Sequence, residues 1–144
     1  REDVRAGRPF GRGWLDDRGV EHSKAWLLLT ASPLWGSILN GISTTRPTWN
    51  GHNSSGWKAD LLAVNGFNEA MGYGGQDREL GYRLANNGVR PRQIRFSTVC
   101  VHLEHEQGWR TEEAVAASKA IIDETVRTRR TWIEDGITRG PRPE

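Results

Sequence analysis

Glycine limits what this chain can fold into more than any other residue, with seventeen among 144 residues. A glycine inside a helix costs about 1 kcal/mol relative to alanine, and it readily takes the left-handed conformation that ends one. A chain punctuated so often is expected to be rich in loops. The seven tryptophans add large apolar faces of the kind that stack on sugars, or that simply fill a core.

A length of 144 residues fits one domain. Hydrophobic residues make up 35% and charged residues 26%, a polar balance still compatible with folding. The net charge of +2 is too weak and too scattered for a nucleic-acid binder, so DNA and RNA are excluded as partners. The apolar run at 25–29 (AWLLL) is far too short to span a bilayer. With no signal peptide ahead of it, the chain is expected to be cytoplasmic, with peripheral membrane contact at most. Cys100 has no partner cysteine and sits in an apolar run, which predicts a buried, structural thiol. The first residue, Arg1, suggests a piece of a longer chain.

Residues 1–24 mix glycines with dense charge and show no sustained period, so they read as a loop-rich lead-in. The main module is expected over 25–137, followed by a charged tail at 138–144. Within the module, residues 25–42 favour a helix over a strand. Ser54 is placed to cap a helix whose apolar face is Trp57, Leu61 and Val64, with Asn65-Gly66 as its left-handed stop. A second helix is predicted from Asp77 to about Asn87, with Leu80 and Leu84 one turn apart and Gly88 as its cap. Residues 93–103 (QIRFSTVCVHL) are rich in β-branched and aromatic residues and free of glycine and proline, which predicts a strand. Thr111 should cap a long last helix with Val115, Ile122, Val126 and Ile133 as its apolar stripe, ending at Gly136.

The chemistry concentrates in the middle. In order, the chain carries Asn65-Gly66-Phe67-Asn68-Glu69, then Gly72-Tyr73-Gly74-Gly75-Gln76-Asp77-Arg78-Glu79-Leu80, then Arg83-Leu84, and finally His102-Leu103-Glu104-His105. This order resembles the C-terminal module of family-two and beta-1,4-galactosyltransferase-like glycosyltransferases. Their pattern runs N-G-F-(D/N)-E, G-(W/Y)-G-G-E-D, an R-L helix, and M/H-x-x-H. The resemblance covers residues 50–110, and the combination is far more specific than any single piece.

The resemblance implies an α/β fold: the C-terminal half of a GT-A type nucleotide-sugar fold, with short helices around a partial mixed sheet and a long C-terminal helix. It implies that Asp77 is the catalytic base for an acceptor hydroxyl, with Tyr73, Gly74, Gly75 and Gln76 binding substrate. His105 and His102 are the implied metal ligands, holding manganese together with a D-x-D motif that this chain lacks. Gln76 departs from the family, which carries glutamate there; glutamine keeps an acceptor oxygen, gains donors and loses a charge. Taken without the resemblance, Asp77 would read as a helix cap and the histidine pair as ordinary surface. The arginines at 78, 83, 90, 92 and 95 read mainly as a solvated face, or else as a surface for a diphosphate or anionic acceptor.

The implied activity is inverting, metal-dependent transfer of a hexose such as galactose or N-acetylgalactosamine from a UDP-sugar to a saccharide acceptor. The expected partners are that donor, that acceptor and an N-terminal nucleotide-binding half. Without the D-x-D carboxylates the isolated chain is not expected to turn over a nucleotide-sugar. The alternative is a non-catalytic carbohydrate-binding or scaffolding remnant. A small metal-binding regulatory domain ranks below both, since no cysteine or acidic cluster completes its site.

Overall fold

The computed structural model describes residues 2–19, 33–72, 74–98, 100 and 111–142. They belong to two compact units, one made of Arg1–Arg46 with Arg92–Glu104 and the other of Pro47–Pro91 with His105–Glu144. Among the described residues, all regular elements are helical, and no helix is long and apolar enough to cross a membrane.

The first unit begins with helix α1 (Glu2–Arg5), a 3-10 turn (Arg8–Phe10) and helix α2 (Arg12–Asp16). The loop reading of this stretch is therefore corrected over residues 2–19. Its mixed charges lack a period because they pair across short turns. Asp3 meets Arg8 at 3.1 Å and Arg18 at 3.7 Å, and the Arg18 guanidinium lies 3.7 Å from the centre of the Trp14 ring. Pro9 suits the start of the 3-10 turn because its φ is already set for helix.

Helix α3 (Pro33–Ile42) bears out the helix expected there over its described part. Its packed side is small and polar: a Cβ on Gly36 would run into the Phe96 carbonyl oxygen. One turn on, the Asn40 side chain donates to Ser97 Oγ at 2.7 Å and accepts the Phe96 N–H at 2.9 Å. Leu34, Trp35, Ile38 and Ile42 are exposed on the other side. The strand predicted at 93–103 is not formed over 93–98, and residues 101–103 lie outside the described residues. Backbone N–H groups there find partners in local turns and on α3 instead. Ser97 N–H donates to the Ile94 carbonyl at 2.9 Å, Arg95 N–H to Gln93 Oε1 at 3.1 Å, and Phe96 N–H to Asn40. β-branched content describes a residue's fit to a sheet, and no ladder partner is present among the described residues to use it. Cys100 is exposed, against the buried thiol expected.

The second unit holds helix α4 (Lys58–Ala63), helix α5 (Gln76–Asn86) and helix α6 (Glu112–Thr128). Val64, Leu80 and Leu84 form its core, with Trp49, Leu61 and Val89 packed against them. Asn65 and Gly66 are left-handed, at φ 64 and 70, as the Asn-Gly stop predicted. Ser54 does not cap α4; its hydroxyl accepts the Asn50 N–H at 2.7 Å. Trp57 is 81% exposed and stands at the N-cap, outside the apolar face expected of it.

Helix α5 starts and stops as the sequence predicts, with Gly88 left-handed beyond its end. Thr111 caps α6 by accepting the Ala114 N–H at 3.2 Å. The helix ends at Thr128, eight residues short of Gly136, where Arg129 turns left-handed at φ 53. Its fully buried side chains are Ser118 and Thr125, while Val115 and Val126 are exposed. α6 thus faces α5 with small and hydroxyl groups, and Ile133 is buried beyond the helix.

The segment after α6 folds back onto Asn65. That side chain donates to the Ile133 and Thr138 carbonyls at 2.8 and 2.7 Å, and accepts Thr138 N–H and Oγ1–H at 2.8 and 3.0 Å. Arg139 pairs with Glu69 at 2.8 Å and Asp135 at 2.5 Å. The charged tail is thus fastened at Thr138 and Arg139.

Candidate acceptor-side site

Asp77 is the second residue of α5, immediately behind a left-handed turn made by Gly74 and Gly75 at φ 108 and 92. Those angles are open to glycine and strained for other residues. Space is limited as well, since a Cβ on Gly75 would fall 2.7 Å from Ile122 Cδ1 of α6.

The Asp77 carboxylate is held by backbone donors. Its Oδ1 accepts the Arg78 N–H at 2.7 Å, and its Oδ2 accepts the Gly51 N–H at 3.0 Å. A carboxylate has about four acceptor sites, so capacity remains for one more donor, such as a hydroxyl. The side chain is half-buried and stands in the first turn of α5. Gly51 carries no local signal in the sequence, because its part comes from a loop that lies remote along the chain.

Beneath the site lies a buried ion pair. Glu79 and Arg83 are both fully buried; Arg83 Nε meets both Glu79 oxygens at 2.9 Å and Nη2 meets Oε2 at 2.8 Å. The same guanidinium donates to the carbonyls of Val64 and Gly66, which ties α5 to the Asn-Gly stop. Thr125 Oγ1 of α6 donates to Glu79 Oε1 at 2.9 Å and accepts from Arg130 Nε at 2.8 Å. Each charge is thereby paired and hydrogen-bonded, the condition under which such groups persist inside a protein. Arg83 is accordingly corrected from solvated face or diphosphate ligand to core. The available signal was its spacing, four residues after Glu79 with Leu80 and Leu84 interleaved. Arg78, Arg90, Arg92 and Arg95 are exposed.

The structure brings Gly74, Gly75, Gln76 and Asp77 together. The Gln76 carboxamide turns back on the loop, with Oε1 accepting the Gly74 N–H at 3.3 Å and Nε2 donating to the Gly72 carbonyl. Tyr73, His102 and His105 lie outside the described residues. Among those described, no three histidine, cysteine, aspartate or glutamate side chains could hold a metal ion. A separate open cleft of about 320 Å³ is lined by Leu62, Asn65, Trp132, Ile137, Thr138 and Arg142. It shares no residue with the glycine loop.

Asp77 is thus a carboxylate held by two backbone donors at a helix start, behind a turn made of two glycines. Residues 40–106 match the family model described as the N-terminal domain of galactosyltransferase, a match that supports a galactosyltransferase-like module over this segment. That description names an N-terminal domain, whereas the motif order reads as the C-terminal, acceptor-binding half; the galactosyltransferase-like character is common to both. No curated protein and no solved structure matches the chain.

Proposed function

We propose that this chain provides the acceptor side of an inverting hexosyltransferase, with Asp77 as the general base. The observation that carries this reading is the Asp77 carboxylate, fixed by Gly51 and Arg78 N–H groups with accepting capacity left over, inside a galactosyltransferase-like segment. Residues 40–106 support glycosyl transfer at a coarse level. UDP-galactose or UDP-N-acetylgalactosamine as donor, a saccharide as acceptor and half of a GT-A fold as the setting belong to the proposal.

In the proposed step, an acceptor hydroxyl oxygen bonds to the anomeric carbon from the face opposite the leaving nucleotide. The bond from that carbon to the diphosphate oxygen breaks, and its electron pair stays with the diphosphate. The hydroxyl proton passes to an oxygen of Asp77. The left-handed glycines let the sugar approach the backbone, and Tyr73 belongs to the acceptor surface by resemblance. Manganese, held by His105 and His102 with carboxylates contributed from outside these residues, would stabilise negative charge on the leaving group.

The test is Asp77→Asn in an enzyme complete with its nucleotide-binding half. Turnover should fall at least about 100-fold with nucleotide binding nearly unchanged, and near-normal turnover removes Asp77 as base. In the same enzyme, His105→Ala should weaken manganese-dependent UDP binding more than His102→Ala, as isothermal titration would show. A second reading, a carbohydrate-binding remnant, is favoured by one observation: the Gln76 side chain is engaged with its own loop. Acceptor binding that persists in an enzyme with no turnover would support it.

A further inference from the structure

We propose that Gln76 acts as the positioning residue of Asp77, clasping the glycine loop through its carboxamide in place of the acceptor contact its position suggests. This rests on the assignment of Asp77 as base. Among the described residues, Gln76 makes the side-chain hydrogen bonds to this loop: Nε2 to the Gly72 carbonyl, and Oε1 from the Gly74 N–H at 3.3 Å. From α6 the loop is approached by Ala114, Val115 and Ile122, which bring no polar group.

The clasp needs a donor and an acceptor on one planar head at glutamine's reach. Alanine supplies neither, and asparagine is one methylene short. Glutamate could still accept from Gly74, but its other oxygen would set a lone pair against the Gly72 carbonyl. The clasp holds Gly74 and Gly75 in their left-handed turn, and that turn fixes where α5 begins. The start of α5 in turn sets whether Asp77 reaches the Gly51 N–H. With the amide so engaged, its remaining capacity is one N–H and one lone pair, and acceptor recognition falls to the loop backbone and Tyr73.

The variant Gln76→Glu exposes this logic through pH. Below the ordinary carboxylic-acid range, about 4, a protonated glutamate regains a donor for the Gly72 carbonyl. The titratable neighbours are Asp77 and Glu79 on α5 and His52 beside Gly51; on α6 the charged residues Glu112, Glu113, Lys119 and Asp123 are exposed.

The experiment measures amide-exchange protection factors by NMR in the chain as it stands, for wild type, Gln76→Ala and Gln76→Glu. Gly74 should be protected in wild type and lose at least about tenfold in both variants at neutral pH. Gly51 should lose protection with it, while Leu80 and Leu84 in the core keep theirs. On acidification Gln76→Glu should recover Gly74 protection and Gln76→Ala should not. A Gln76→Glu chain equal to wild type at neutral pH, a Gly74 amide unprotected in wild type, or Gly51 unmoved by either variant would overturn the proposal. None of these readings involves turnover, so failure of the clasp and failure of Asp77 as base register in different measurements.

Discussion

The residues that matter most at the site gain their character from what surrounds them. Asp77 was legible in the sequence because the glycine run and the helix pattern of α5 both lie beside it. Gly51 was not, since a backbone N–H has no side-chain identity to read. Arg83 reads with its neighbours as surface because arginine is seldom buried; only the fold brings the Val64 and Gly66 carbonyls to it. Arg83→Leu should therefore leave Glu79 buried with its charge poorly compensated and destabilise the unit by about 3–5 kcal/mol. Chemical denaturation measures this, and a change below about 1 kcal/mol would show that Thr125 and Arg130 suffice for Glu79. Asn65→Asp should also destabilise, by about 1–3 kcal/mol. It removes both donors to Ile133 and Thr138 and leaves their carbonyls facing a carboxylate.

At the level of elements, the signals that held were those acting within a few residues of themselves: Asn65-Gly66 after α4, Gly88 after α5 and Thr111 before α6. The end of α6 is set tertiarily, by Asn86 Nδ2 donating to the carbonyls of Thr125 at 3.4 Å and Arg130 at 2.9 Å. That partner lies on another helix, so the apolar period running on to Ile133 misled. The strand expected at 93–103 erred in the same way, because side-chain composition could not reveal that Asn40 takes the Phe96 N–H. Two substitutions test the α6 ends with opposite signs. Thr111→Ala should lower stability by about 1 kcal/mol through loss of the cap. Arg129→Gly should raise it by about 0.5–1 kcal/mol by relieving a left-handed residue that carries a Cβ. Thermal unfolding reads both; a drop with Arg129→Gly would mean that the side chain holds α6 more firmly than its backbone strains it.

At the scale of the whole molecule, one surface among the described residues is α3, which packs through Gly36 and Asn40 and exposes Leu34, Trp35, Ile38 and Ile42. Contiguous apolar exposure of this kind promotes association. Sedimentation velocity should show concentration-dependent association that weakens in Leu34→Gln/Ile42→Gln; an unchanged profile would place the association elsewhere. The chain path has a different consequence. Each unit is assembled from two separated stretches, Arg1–Arg46 with Arg92–Glu104 and Pro47–Pro91 with His105–Glu144, and Asn65 waits for partners at Ile133 and Thr138. On the ribosome, residues 47–91 emerge before the segment that completes them exists. Val64, Leu80 and the Glu79–Arg83 pair must therefore pass through synthesis without α6. At translation speeds of about 5–20 residues per second, that interval lasts seconds, during which a nascent chain of this design depends on its surroundings to stay unaggregated.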